Sequence, residues 1–555
     1  MTQKLNNESG IVLLVCLSIL FMLSLIGIAS MSTSNNDMQI AENESRATGA
    51  FYAAEAGLEK AAASIVTHYQ ASGTPPDPLP IGTESELHYT YGYATIDNGP
   101  AVNKTLNAGS YKGLYGSVKS FTINSLGVDN SSASGVELEM QISDALIPLF
   151  QFAVFYENDL EIGPGPNMTL GGRVHTNSDM YLVTGSDLYI DSYMTAAGDI
   201  FHGIGTVVNN NDIWIKDDNG NYQSMRNADN TFLDSNDPNW VTESMNRWGG
   251  CVEDGNHGIT ELRMEVVSDG DATNIIDRYD NGNNPSSYEN DAGLKVIDGQ
   301  AYFKSGNNWM NVTGNMIAGG ILTSGTFYDA REGQTVNSID IDIDKLNSSA
   351  YFPSNGIVYC STVDNGASVA AVRLKNGQKL ADGLTVATDN PLYTLGDYNT
   401  VNKKPAALIA DAVTILSNNW DDANSGLGLG SRTASPTQMN ASYMTGNTLT
   451  IPDGHGYNGG LENLPRFLEN WSGKDFTWRG SAVDLWYSRQ ANSDWGGGYY
   501  NAPNRDWAFD PDLLDIDKLP PGTPLVNIVQ RMNWSQKIAH WIPDESGNGN
   551  GNGNN

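Results

Sequence analysis

The stretch Glu8–Ser30, ESGIVLLVCLSILFMLSLIGIAS, governs the reading of everything that follows it. From Ile11 to Ser30 it carries no charge and no proline, its single glycine is Gly27, and the next charged residue is Asp37. At a rise of ~1.5 Å per residue such a run crosses the ~30 Å hydrocarbon core of a bilayer as one helix. A secretory signal peptide has a clearer basic leader, a shorter apolar core and a small-residue cleavage site. Here the leader MTQKLNNESG sets only Lys4 and the terminal amine against Glu8. The helical pattern then resumes. Ala50–Val66, AFYAAEAGLEKAAASIV, contains seven alanines and places Phe51, Ala54, Leu58, Ala62 and Ile65 on one stripe at spacings of 3, 4, 4 and 3. Membrane run and amphipathic segment together predict one rod of about 80 Å.

A short polar leader ending in glycine, an uncharged run directly after it and a helix carrying FYAAEAGLE resemble the N-terminus of type IV pilins, most closely the PilX-type minor pilins. The resemblance covers residues 1–65. It implies that a prepilin peptidase cuts after Gly10 and leaves Ile11 as the mature, often methylated, N-terminus. It also implies a membrane and filament helix lined by Ile11, Leu14, Leu17, Phe21, Leu25, Phe51, Ala54 and Leu58. The partners it implies are other pilins and minor pilins, the inner-membrane assembly platform and, before assembly, the inner membrane of a Gram-negative cell. In one place the chain departs from the family. Major pilins keep a glutamate at the fifth mature position, which here is Val15. In the family that carboxylate sits in apolar surroundings opposite the N-terminal amine of a neighbour, where an unpaired charge is costly. A subunit with Val15 cannot neutralise a neighbour above it, which places it at the distal tip, and the bulk of the chain after the helix points the same way.

Composition narrows the rest. With 555 residues the chain exceeds one core and predicts several domains. Lys plus Arg number 30 against 64 Asp plus Glu, a formal charge of −34, which excludes nucleic-acid binding by phosphate neutralisation. Three cysteines occur, Cys16 in the apolar run and Cys251 and Cys360 beyond it. A disulfide between Cys251 and Cys360 and two unrelated buried thiols are both compatible with an oxidising exterior.

The fold class expected is mainly β with one long N-terminal helix. The divisions read from the chain are a prepilin leader (1–10), a transmembrane and filament helix (11–70), a Pro-rich linker (71–80, ASGTPPDPLP) and a small pilin-type β head (81–145). A β-solenoid-like domain (146–450) follows, with an insertion around 204–359, then a Trp-rich cap (451–545) and a Gly/Asn tail (546–555). The head strands show as alternation in HYTYGYATI, KSFTINSLGV and GVELEMQIS. The solenoid shows as short strand-like pieces separated by glycine or asparagine from Ser143 to Gly203, a texture that packed sandwiches would share. Ser338–Lys345, SIDIDIDK, would set three aspartates on one face and three isoleucines on the other. The phrases GRVHTNSDMYL and LTVATDNPLYTLGDYN look similar to segments of large PilX-related proteins, which gives context and no activity.

Chemistry is sparse. Asp277, Asp280, Asn281 and Gly282 approximate a calcium loop but lack its ligand spacing and closing glutamate, and DDNGNY at Asp217 reads as a hairpin turn. No cofactor is expected, calcium being the nearest candidate. The histidines, at 68, 88, 175, 202, 257, 455 and 540, form no metal-ligand pair. His175 near Asp179, and Asp421 beside Asp422, are the groups a hydrolase would use, but in so acidic a chain such pairs carry little, and no enzyme is expected. Seven of twelve tryptophans follow residue 470. They either bury a cap, or expose Trp495, Tyr499, Tyr500 and Trp507 as platforms for a glycan or for a host or abiotic surface. The function expected is a minor pilin at or near the tip of a type IV pilus, priming assembly and contacting surfaces. A capping minor pseudopilin of a type II secretion system and a stand-alone anchored glycan-binding or glycan-cleaving solenoid are the alternatives.

Overall fold

The computed structural model describes residues 8–131, 135–204, 211–264, 271–280, 282, 284–363, 368–450, 458–496 and 498–537. The chain forms two compact units, 1–101, 119–144 and 529–555 in the first, 102–118 and 145–528 in the second, and passes between them four times.

In the first unit a single helix, α1 (Glu8–Ser72), runs without interruption for 65 residues, about 97 Å at ~1.5 Å per residue and longer than the rod expected. It stops where Gly73 adopts a φ of 67° and donates its N–H to the Tyr69 carbonyl at 2.8 Å, ahead of Pro75 and Pro76, which cannot continue a helix. The sheet beside it runs in the order Ile81–Glu86, Tyr89–Asp97, then parts of Tyr115–Asp129, Gly135–Pro148 and Leu525–Lys537. The last strand is a correction to the small head read as 81–145, because residues 529–537 complete its sheet from the far end of the sequence. Ala50, Ala54, Leu58, Ala61, Ala62, Ile65 and Tyr69 are buried against Phe121, Ile123, Leu138 and Ile142. Burying a side chain such as Leu58 or Ile65 stabilises by roughly 1.5–3 kcal/mol. The alanines and glycines let the backbones meet: a Cβ on Gly127 would lie 2.1 Å from the Ala50 carbonyl oxygen. Phe51 falls at the edge of this face, half-buried, with its ring 6.0 Å from Trp534.

The second unit is built from parallel ladders. Leu160–Ile162, Met180–Leu182 and Ile200–His202 stack in register, as do Met168–Leu170, Leu188–Ile190 and Ile213–Lys216. Phe152–Tyr156, Arg173–Thr176, Met194–Ala196 and Val252–Glu253 form the third ladder. The first coils of this half repeat after 20 residues, from Leu160 to Met180 to Ile200, so Asp179 and Asp199 donate their N–H groups to the carboxylates of Asp159 and Asp179 one coil earlier; longer excursions then precede Ile213 and Val252. Gly198 fits the same stack, since a Cβ there would strike the Asp179 carboxylate at 2.1 Å. Every coil buries its aliphatics only against the next, which is what a solenoid requires.

The longest ladder has an order that the sequence does not show. From Val252–Glu253 it steps back through Met194–Ala196 and Arg173–Thr176 to Phe152–Tyr156. It then continues through Ala482–Tyr487, Ser442–Asn447, Ala406–Ala410, Leu384–Thr388 and Ile357–Ser361 to Leu294–Ile297. The first coil and the last are therefore neighbours at a central seam, where Val154, Phe155 and Tyr156 pair in parallel with Ala482, Val483 and Asp484. The boundaries read from the sequence change accordingly. Strands at 213–216, 252–253, 294–297 and 334–342 inside the expected insertion, 357–361 across its end, and 465–467, 475–480, 482–487 and 504–509 inside the expected cap are rungs of the solenoid. Trp471, Trp478 and Trp507 fill its interior, with Trp478 and Trp507 rings 5.7 Å apart, while Trp486 is buried in a second cluster with Phe152, Phe155 and Met444.

Candidate functional site

The part of α1 that the other described residues leave uncovered is the candidate site. Ile11, Leu14, Leu17, Phe21 and Leu25 are all exposed, with Leu17 67% and Phe21 65% accessible. This is the one helix among the described residues long and apolar enough to cross a membrane, with a mean hydropathy of 3.0 over its most apolar stretch. Ser18 and Ser24 within it make no demand on a solvent, because they donate to the Leu14 and Leu20 carbonyls one turn back at 2.9 and 2.8 Å. Val15 is exposed on the same surface, and α1 carries no carboxylate between Ile11 and Asp37. Gly10 lies within the helix, whereas leader residues 1–7 fall outside the described residues.

Below this run α1 changes character. Arg46 sits 3.6 Å from the buried Asp129 carboxylate, Lys60 pairs with Glu84, and Arg531 reaches Glu59 at 2.6 Å. Ala54 and Leu58 face the sheet, as their spacing predicts. The eight residues of the predicted helix surface thus divide: five are free for an apolar environment or for other helices, and Phe51, Ala54 and Leu58 belong to the packing of the first unit.

Other candidate residues take structural roles. Cys251 and Cys360 are both free and buried. Cys251 precedes Val252–Glu253, at one end of the longest ladder, and Cys360 lies on Ile357–Ser361 near the other. Eight strand steps at ~4.8 Å separate those strands, while a disulfide needs Cα atoms within about 7 Å. Of the two readings that the sequence left open, the disulfide is therefore excluded and the two separate buried thiols hold. Burial pushes the two thiols up to about 11 and about 12. Of the four candidate platform aromatics, Tyr499 and Trp507 are buried and Trp495 and Tyr500 are half-buried. The Trp495 indole donates to the Tyr500 hydroxyl at 3.1 Å, and Tyr500 donates to Asn463. They fill and edge the last coils; Trp541 and the tail 546–555 lie outside the described residues.

His175 is fully buried among Tyr111, Phe152 and Phe155, with Nδ1 2.8 Å from the Thr195 hydroxyl and Nε2 3.0 Å from Asn177 Oδ1. Burial pushes its pKa down to about 4, and Asp179 serves the aspartate ladder. Asp422 takes both guanidinium NH groups of Arg373, while Asp421 caps a short 3-10 turn. Asp277 pairs with Arg489 at 2.5 Å, which occupies the carboxylate that a calcium loop would use; Asn281 lies outside the described residues. SIDIDIDK is strand only as far as Asp342, whose side chain caps the short helix Ile343–Asn347, and Asp344 is exposed on that helix; within the strand Asp340 is enclosed and lies 2.7 Å from the enclosed Arg373. The Asn219-Gly220 turn joins Ile213–Lys216 to Tyr222–Ser224 as a hairpin, with Gly220 at φ 81°.

Sequence reasoning missed two features of this structure. The 20-residue period was visible in the spacing of Asp159, Asp179 and Asp199, each followed by a buried aliphatic. The return of residues 529–537 to the first sheet left no local signal.

Comparison with known proteins adds the following. A crystal structure of the competence-associated pilin ComZ from Thermus thermophilus is similar at 12% identity, with 89% of this chain and 98% of that chain covered and a TM-score of 0.32. No curated protein matches the sequence. Residues 9–59 match the family model described as PilX N-terminal, the segment that holds the exposed apolar run and the first buried turns of the seat. The match to the PilX N-terminal model thus covers the helix at residues 9–59, and a large β head follows it.

Proposed function

We propose that this protein is a minor pilin at or near the tip of a type IV pilus, where it primes assembly and presents its β head to surfaces. The observation that carries the proposal is the division of α1, half exposed and apolar, half seated in its own head, within a PilX N-terminal match. Before assembly the apolar half holds the chain in the inner membrane, with the head in the periplasm. A prepilin peptidase removes the leader after Gly10, Ile11 becomes the methylated N-terminus, and the assembly platform lifts the helix among those of other pilins. Val15 supports a terminal position, because it offers no carboxylate to a subunit above it. The work is packing and recognition, not catalysis. Mass analysis of the N-terminal peptide from native membranes and from sheared filaments tests this. A start at Ile11 in both fractions is expected; an intact Met1 with no protein in the filaments would overturn it.

A further inference from the structure

The solenoid's two halves meet at the Phe152–Tyr156 and Ala482–Tyr487 seam, and a cleft of about 160 Å³ opens there, lined by the first two coils and by the coils that begin at Ser442–Asn447 and Ala482–Tyr487. Three carboxylates face it, Asp159, Glu161 and Asp484, and its described lining contains no lysine or arginine. Asp484 is only 4% exposed and its Oδ1 has no hydrogen-bond partner. Asn447, equally enclosed, accepts from the Thr448 N–H at 2.9 Å but leaves its Nδ2 donor unpartnered. Glu161 accepts a single hydrogen bond at the cleft, from Thr450 at 3.0 Å. Tyr181 and the exposed Tyr487 supply aromatic walls.

Each of these groups asks for something different from a ligand. A buried carboxylate oxygen without a partner favours a cation, an unpartnered amide N–H favours an acceptor oxygen, and tyrosine faces favour both a sugar ring and an ammonium group. A bare metal ion would answer the first and leave the second unmet, and no three carboxylates, histidines or cysteines among the described residues are grouped to hold one. A simple alkylammonium likewise brings no acceptor. We infer that the seam cleft binds an amino sugar with a free amine, its ammonium against Asp484 and Glu161 and a hydroxyl oxygen on Asn447 Nδ2. Burial without a counter-cation pushes Glu161 up to about 7 and Asp484 well above the usual carboxylate range, and an ammonium group beside them would draw both back down. Burial, then the nearby Asp484, Asp159 and Glu161, raise Tyr487. The inference stands apart from the filament reading, since every cleft residue belongs to the second unit and would bind with or without assembly.

Titration calorimetry on the full-length protein in detergent, with a β-1,4-linked glucosamine trimer, its N-acetylated counterpart and calcium chloride as separate probes, tests it. The glucosamine trimer binds and the acetylated trimer binds at least tenfold more weakly. Asp484→Asn and the surface variant Tyr487→Ala each weaken glucosamine binding at least tenfold, and Tyr487→Ala melts as the parent does. Equal affinity for the two trimers, no heat with either, or calcium binding lost in Asp484→Asn while the trimers give none, would each overturn the proposal.

Discussion

The two halves of α1 are one continuous helix with opposite fates. Residues 11–31 present leucine, isoleucine, phenylalanine and methionine to the outside, while residues 50–69 bury alanine, leucine and isoleucine against a sheet. Apolar content does not explain the difference, since the exposed half is the greasier one. The lower half has small residues wherever a sheet must approach, and its sheet offers Gly127 where the helix backbone comes closest. The upper half has apolar side chains all round and no partner among the described residues. A helix apolar all round is one that lipid or other helices must cover. The contrast therefore separates what the molecule completes by itself from what it holds ready for an assembly.

Substitutions can break that contrast or sharpen it. Leu58→Ala, at a fully buried position of the seat, should cost about 2–5 kcal/mol, read as a lowered melting transition of the first unit. Leu17→Arg should leave that transition in place and instead cost about 2.5–3.5 kcal/mol of membrane insertion, read by carbonate extraction of membranes. Equal damage to folding by Leu17→Arg would show that the upper half also belongs to the fold. The solenoid offers the same contrast between groups with and without partners. Glu161 and Glu462 have no ion-pair partner among the described residues, and burial raises both to about 7. The stability they contribute is complete below the unfolded value near 4.5 and is lost as the pH rises through about 7, so thermal melts should show the second unit weaker at pH 8 than at pH 5. Asp340, kept below its usual range by hydrogen bonds from Arg373 despite the opposing effect of burial, stays ionised across that window and adds no slope. Smaller still is Arg531→Ala, which removes a half-exposed pair with Glu59 and should shift the first unit by at most about 1 kcal/mol in the same melts. The smallest effect belongs to Leu17→Ala, within about 0.5 kcal/mol for folding, with any larger consequence confined to incorporation into sheared filaments.

Much of this was legible in the residues. The uncharged Ile11–Ser30 run, the spacing of Ala54, Leu58, Ala62 and Ile65, and the alternation in GVELEMQIS each report a local periodicity, and local periodicity fixes which face of an element is apolar. The 20-residue repeat at Asp159, Asp179 and Asp199 was equally available. Trp495, Tyr499, Tyr500 and Trp507 left two readings open because abundant aromatics suit a binding platform and a buried interior alike, and burial alone distinguishes them. Cys251 and Cys360 could not be judged, since pairing depends on distance and their strands stand eight ladder steps apart.

What the sequence determined by itself is the helix, its unpartnered apolar half, the acidic exterior and the β character of the head, because each follows from residue type and short-range spacing. The tertiary structure decided which rungs are neighbours. Only there do the first and last coils meet, does Leu525–Lys537 return to a sheet begun at Ile81, and do Glu161 and Asp484 come to share one cleft. Such pairings join residues hundreds of positions apart. Their free energy comes from burying whole coils against one another, and that leaves no mark on any local stretch of the chain.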